Sequence, residues 1–77
     1  MTLDSLRCFR AVVETGSFHA AAALVHRSQP AVTHQIKALE REFGRVLFDR
    51  RAGKPTPAGQ RLYERACAIL AEADALA

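Results

Sequence analysis

Apolar residues recur along this chain at helical rather than strand spacing, and the clearest case lies in residues 17–43, SFHAAAALVHRSQPAVTHQIKALEREF. Val32, Ile36, Leu39 and Phe43 are spaced 4, 3 and 4 apart. That spacing makes one buried stripe at the helical period of roughly 3.6 residues. The opposite face carries Pro30, His34, Lys37 and Arg41, with Thr33 beside it. Ser28 is placed to cap this helix, Pro30 sits in its first turn, where a missing amide hydrogen costs little, and Gly44 ends it. A shorter helix precedes it, capped by Ser17 and rich in alanine from Ala20 to Ala23, so another backbone can approach closely. His26 and Arg27 form the turn between the two.

The flanks predict three further elements. A first helix starts after Thr2, with Asp4 favoured by the helix dipole and Gly16 as its stop. Leu3, Leu6, Phe9 and Val13 supply its apolar face. Val46, Leu47 and Phe48 are β-prone, and the run 49–55, DRRAGKP, is turn-rich and basic. Together they predict a small β-hairpin. Thr56 and Pro57 announce a last helix by cap and first-turn proline, with Gly59 in its first turn. Leu62, Ala66, Ile69, Ala73 and Leu76 form a heptad-like stripe on it, widened by Tyr63 and Leu70. Such a helix, roughly 30 Å long, exceeds what a three-helix head covers. No stop signal precedes Ala77, so the helix is expected to continue in a longer protein.

With 77 residues the chain is one domain at most, and its 49% hydrophobic content is that of a folded protein. The net charge of +3 is modest, but its distribution is not even. Between positions 27 and 54 seven Lys/Arg stand against Glu40, Glu42 and Asp49. A local basic excess points to a polyanionic partner. No stretch approaches the length of a membrane span, and no secretion signal is visible. Cys8 and Cys67 form no CxxC motif and read as buried small hydrophobes in a reducing cytoplasm. His19, His26 and His34 lack zinc-ligand spacing. No cysteine has a paired base, and no glycine-rich loop is present to cradle a phosphate. The expectation is therefore a non-enzymatic chain with no cofactor and no metal.

Two helices joined by a tight turn, the second presenting small polar groups and then cations, suit a DNA major groove. In a helix-turn-helix the second helix enters that groove and its N-terminal residues meet base edges. Gln29 can pair with adenine through its amide. Pro30 and Ala31 offer apolar contact to a thymine methyl, and Thr33 and His34 can donate to a base or a phosphate. Lys37 and Arg41 lie further along, nearer backbone phosphates. The competing readings are another winged-helix regulator, such as the molybdate-responsive type, and a protein-interaction helical bundle.

Several short motifs also carry a family resemblance. They are GSF at 16–18, AA at 21–22, SQPAVTHQI at 28–36, LE at 39–40, LFDR at 47–50 and TPAG at 56–59. In combination they resemble the N-terminal winged helix-turn-helix of LysR-type transcriptional regulators, over essentially the whole chain. The resemblance implies a mostly α fold with a short β-hairpin wing and a long C-terminal linker and dimerisation helix. It implies a DNA-binding head over 1–56 and a linker helix over 57–77, with the family's effector-binding domain absent. Gln29, Pro30, Thr33 and His34 fall where such regulators read bases, and Ser28, Arg27, Lys37 and Arg41 where phosphates lie. Arg50, Arg51 and Lys54 fall on the wing that reaches the minor groove. Leu62, Ala66, Ile69, Leu70, Ala73 and Leu76 fall on the helix that pairs two subunits on double-stranded DNA, with higher oligomers open to the full-length protein.

Three positions depart from the family pattern. Arg27 stands where an apolar residue is usual, the wing is about two residues short, and Pro55 replaces the usual leucine. Proline cannot donate to a strand ladder, so the second wing strand is expected to be minimal.

Overall fold

The computed structural model describes residues 1–77 as four helices and one hairpin. These are α1 (Leu3–Thr15), α2 (Phe18–Val25), α3 (Gln29–Phe43), β1 (Phe48–Asp49), β2 (Lys54–Pro55) and α4 (Pro57–Asp74). The capping residues are those read from the sequence. Thr2, Ser17, Ser28 and Thr56 each accept a backbone N–H from three residues ahead. Thr2 does so within a capping box, because Ser5 reaches back to the Thr2 amide. Each cap satisfies an amide that the helix itself leaves free. Gly16 and Gly44 end α1 and α3 in the left-handed conformation.

The core forms where α1, α2 and α3 meet. Phe9 and Val12 of α1, Ala21 of α2 and Val32 of α3 are wholly enclosed, with Ile36 and Leu39 beside them. Ala21 and Ala22 have almost no bulk, so α2 lies close against its neighbours, as the alanine run predicts. Two expectations shift. On α1 the buried line is Leu6, Phe9 and Val12 with Cys8 and Ala11, while Leu3 is exposed and Val13 only half-buried. Leu3 stands in the first turn, at the margin of the three-helix contact. On α3 the stripe ends at Leu39. Phe43 is 44% exposed and lines an open groove with Ala58 and Leu62, because the head no longer faces the last turn.

The hairpin is tied back to α3 through Glu40. Glu40 Oε2 accepts the amides of Leu47, at 2.7 Å, and Phe48, at 3.4 Å. Leu47 and Phe48 are buried, whereas Val46 is exposed and lies outside the strand. Phe48 pairs with Pro55 and Asp49 with Lys54, and each strand has two residues, as Pro55 predicts. Asp49 Oδ1 accepts the amides of Arg51 and Ala52 and so fixes the turn. The tip rests on the corner between α1 and α2, where a Cβ at Gly16 would stand 3.1 Å from the Gly53 carbonyl oxygen.

Helix α4 runs antiparallel along α1. Glu14 accepts from the Tyr63 hydroxyl at 2.7 Å near its start, and Arg7 meets Asp74 at 3.2 Å near its end. Between them Ala66 and Leu70 are sealed against Leu6 in a second small core. Ala58, Leu62 and Tyr63 pack against the main one. The helix stops at Asp74 rather than at the chain end. Ala66 and Leu70, read from the sequence as part of a pairing seam, are buried within the chain itself. Ile69, on the neighbouring line of the same helix, and Leu76, just beyond its end, remain exposed. A heptad pattern marks an apolar sector of a helix but does not say which edge of it the head covers.

Candidate nucleic-acid interface

The turn before α3 is built on His26, which caps α2 with φ of 58°. This left-handed conformation is uncommon for a residue with a side chain. Its amide bonds back to α2, as does that of Arg27, and the chain is redirected within two residues of Val25. Ser28 then caps α3, and Gln29 and Pro30 form its first turn at the surface.

Gln29, Pro30, Thr33 and His34 line a single shallow depression to which no other residue contributes. Pro30 and His34 are exposed and Gln29 and Thr33 half-buried. The helix is held from behind by Val32, Ile36 and Leu39, so this face is turned outward on a fixed support. The four residues expected to face bases thus share one surface. It offers an amide, a hydroxyl and an imidazole around an apolar proline ring.

Further along α3 a second depression is lined by Lys37, Arg41 and Arg45, with Glu40 at its base. Arg45 belongs to this cationic group although no periodic pattern marks it, since it follows the helix stop at Gly44. The Glu40 carboxylate does not cancel these cations by direct pairing, because it is committed to the amides of Leu47 and Phe48.

Two cations are placed differently from the sequence expectation. Arg27 donates to Asp4 Oδ1 at 2.7 Å and ties the turn to the start of α1. This pairing occupies one of its guanidinium nitrogens and anchors the turn. Both partners are about two-fifths exposed, so the pair contributes at most about 1 kcal/mol. Arg50 folds back onto the head, with its guanidinium carbon 4.2 Å from the centre of the Phe18 ring. Phe18 in turn is tilted 60° against Phe48 at 5.8 Å. Arg51 and Lys54 are exposed on the hairpin.

Two other groups have shifted acidities. The bond to Glu14, then the neighbouring Cys67 thiol, pushes the Tyr63 phenol up from its ordinary value. Burial, then the Asp4 carboxylate, pushes the Cys8 thiol up, against an opposing effect of Arg27. Both changes disfavour the ionised form, so Cys8 is a packed, unreactive group. No cluster of three or more histidine, cysteine or acidic side chains could hold a metal ion. No helix is long and apolar enough to cross a membrane.

Residues 3–60 match the family model of the bacterial regulatory helix-turn-helix protein, lysR family. A probable RuBisCO transcriptional regulator of Cyanidioschyzon merolae is 50% identical over 72 residues, which are 91% of this chain and 24% of that protein. The HTH-type transcriptional regulator AbaB of Streptomyces antibioticus is 53% identical over 68 residues, 86% of this chain and 23% of that one. The fold is similar to the crystal structure of the BenM DBD/catB site 1 DNA complex, with a TM-score of 0.93 and 40% identity. That similarity covers 99% of this chain and 88% of the other. The chain spans about a quarter of the length of these curated relatives.

Proposed function

Because the chain belongs to the lysR family of bacterial regulatory helix-turn-helix proteins and is a DNA-binding domain of such a regulator, we propose that it binds an interrupted inverted-repeat operator as a homodimer. Helix α3 lies in the major groove with Gln29, Pro30, Thr33 and His34 at base edges. Ser28, Lys37, Arg41 and Arg45 reach phosphates beside it, and Arg51 and Lys54 extend from the wing toward the minor groove. Residues 1–56 form the DNA-contacting head and 57–77 the linker and pairing helix. Its seam uses the exposed line of α4, with Ile69 and the half-buried Leu62, and reaches Leu76 just past the helix end. Like the DNA it binds, the protein resides in the cytoplasm.

The observation that carries this reading is the division of the outward face of α3. Four small or polar groups share its N-terminal end, and a cationic group without paired counter-charges follows. Base contacts specify and phosphate contacts position, so the division matches the two tasks of a DNA reader. The family match favours this over the molybdate-responsive alternative. A helical bundle made for protein contacts would have no reason to segregate these groups.

In vitro selection from random duplexes, followed by fluorescence anisotropy at two salt concentrations, tests the proposal. The expected result is a two-fold symmetric pair of half-sites, with affinity falling as salt rises because counterions are released. Weak binding without sequence preference would overturn it.

A further inference from the structure

We propose that Arg50, Lys37 and Thr33 form a binding site for one backbone phosphate at the junction of α3 and the wing, and that Phe18 is the positioning residue that holds Arg50 in it. The inference rests on the DNA-binding reading above and deepens it. It moves Arg50 from the minor-groove side of the wing to the rim of the major groove, and it places the hydroxyl of Thr33, which lines both depressions, on the phosphate at the edge of the base-reading group.

The site is a small cleft of about 130 Å³ between α3 and the start of the hairpin. Thr33 and Lys37 enter it from α3, one turn apart on the same face, and Arg50 enters from the wing. Its donors are a hydroxyl, an ammonium and a guanidinium, and its apolar walls are Phe18, Ile36, Val46 and Phe48; the Glu40 carboxylate also lines it, turned to the amides of Leu47 and Phe48. Phe48 is the first residue of β1 and Arg50 the first residue of the turn after it, and both side chains meet the Phe18 ring. Phe18 itself is buried in the first turn of α2, and Ser17 caps that turn. The platform under Arg50 is therefore part of the core, not a mobile surface ring.

Stacking on a ring occupies one face of a guanidinium and leaves its in-plane N–H donors free. In this chain nothing protein-borne takes them. The three ion pairs are Met1 with Glu42, Arg7 with Asp74 and Arg27 with Asp4. The two nearest carboxylates already serve backbone amides. Asp49 accepts from Arg51 and Ala52, and Glu40 from Leu47 and Phe48. Arg50, held on its ring, and the exposed Lys37 are left as cations without a paired anion, beside the residues expected to read bases. A phosphodiester oxygen is the ligand whose charge and acceptor geometry complete such a set. Holding Arg50 beforehand reduces the ordering cost at binding.

The test uses the duplex recovered by selection and the full 77-residue chain. Neutral methylphosphonates replace each phosphate in turn, and affinity is read by anisotropy. One linkage is expected at which the unaltered chain loses about tenfold while Arg50→Ala loses nothing further. Arg50→Ala should also lower the salt slope by about one and leave base preference unchanged. Phe18→Leu should weaken binding, and adding Arg50→Ala to it should cost much less than Arg50→Ala alone. Circular dichroism checks that Phe18→Leu folds, and Arg50→Ala carries the test if it does not. Two results would overturn the site: an unchanged slope, or a loss confined to duplexes with A·T flanks, which marks minor-groove reading. Absence of duplex binding by the unaltered chain would overturn the DNA-binding reading and this site with it.

Discussion

Gly59 lies so close to the backbone of Leu47 that a Cβ on it would overlap the Leu47 carbonyl oxygen. The first turn of α4 is thereby pressed against the entry to the wing. Two bonds reinforce the contact: Thr56 Oγ1 donates to the Val46 carbonyl at 2.7 Å, and the Thr56 amide donates to that of Leu47 at 3.0 Å. Gly59→Ala should destabilise the fold by about 1–3 kcal/mol through overpacking against rigid backbone. Denaturant titration measures it, and an unchanged midpoint would show that α4 can move away freely.

Glu40 acts as a bracket between α3 and the hairpin. Glu40→Ala leaves two partly buried amides without an acceptor and should cost about 1–3 kcal/mol. Glu40→Gln keeps one neutral acceptor and should cost less. Amide hydrogen exchange at Leu47 is the local readout, and it should quicken in the alanine variant well before global unfolding does.

The two depressions on α3 should respond differently to truncation. Gln29→Ala should relax preference at one base position by about 1–3 kcal/mol. Lys37→Ala should weaken matched and mismatched duplexes alike and lower the salt slope by about one. Equal losses on both duplexes for Gln29→Ala would remove its base-reading role.

On α4 two adjacent apolar residues should separate pairing from folding. Ile69 is exposed, so Ile69→Glu should yield folded monomers in sedimentation velocity. Leu70 is fully enclosed with Leu6 and Ala66, so Leu70→Ala should lower stability by about 2–5 kcal/mol. An intact Ile69→Glu dimer would move the seam elsewhere.

The bond from Tyr63 to Glu14 predicts a phenol that resists ionisation. The folded chain holds that proton more tightly than the unfolded chain does. Stability from this group is therefore complete below the ordinary phenol value, about pH 10, and is lost as pH rises from there through the raised value of the folded chain. The chain has one tyrosine and no tryptophan, so ultraviolet absorbance follows the group directly. Glu14→Ala should bring the midpoint back down.

The four helix starts and the ends of α1 and α3 were legible because each depends on residues within one turn of it: Thr2, Ser17, Ser28 and Thr56 as caps, Gly16 and Gly44 as stops. The four residues at the start of α3 were legible for the same reason, since one helix sets their common face. What escaped depends on contacts between distant parts of the chain. A period distinguishes buried from exposed only where a neighbour covers the stripe, and Phe43 and Leu3 lie where cover ends. Ala66 and Leu70 read like Ile69 and Leu76 until α1 is laid beside them. A run of basic residues marks the wing, but only the fold brings Phe18 under Arg50 and Asp4 beside Arg27.

The wing tip, through Gly53, rests on Gly16 at the corner of α1 and α2. A hairpin pinned at its tip as well as its base cannot act as a flap that swings to suit its target. Its separation from α3 is a built-in gauge, like the jaws of a locked caliper. A duplex gripped by both must match that gauge or bend to it. The stiffness and groove width of bases that no side chain touches would then enter the choice of site.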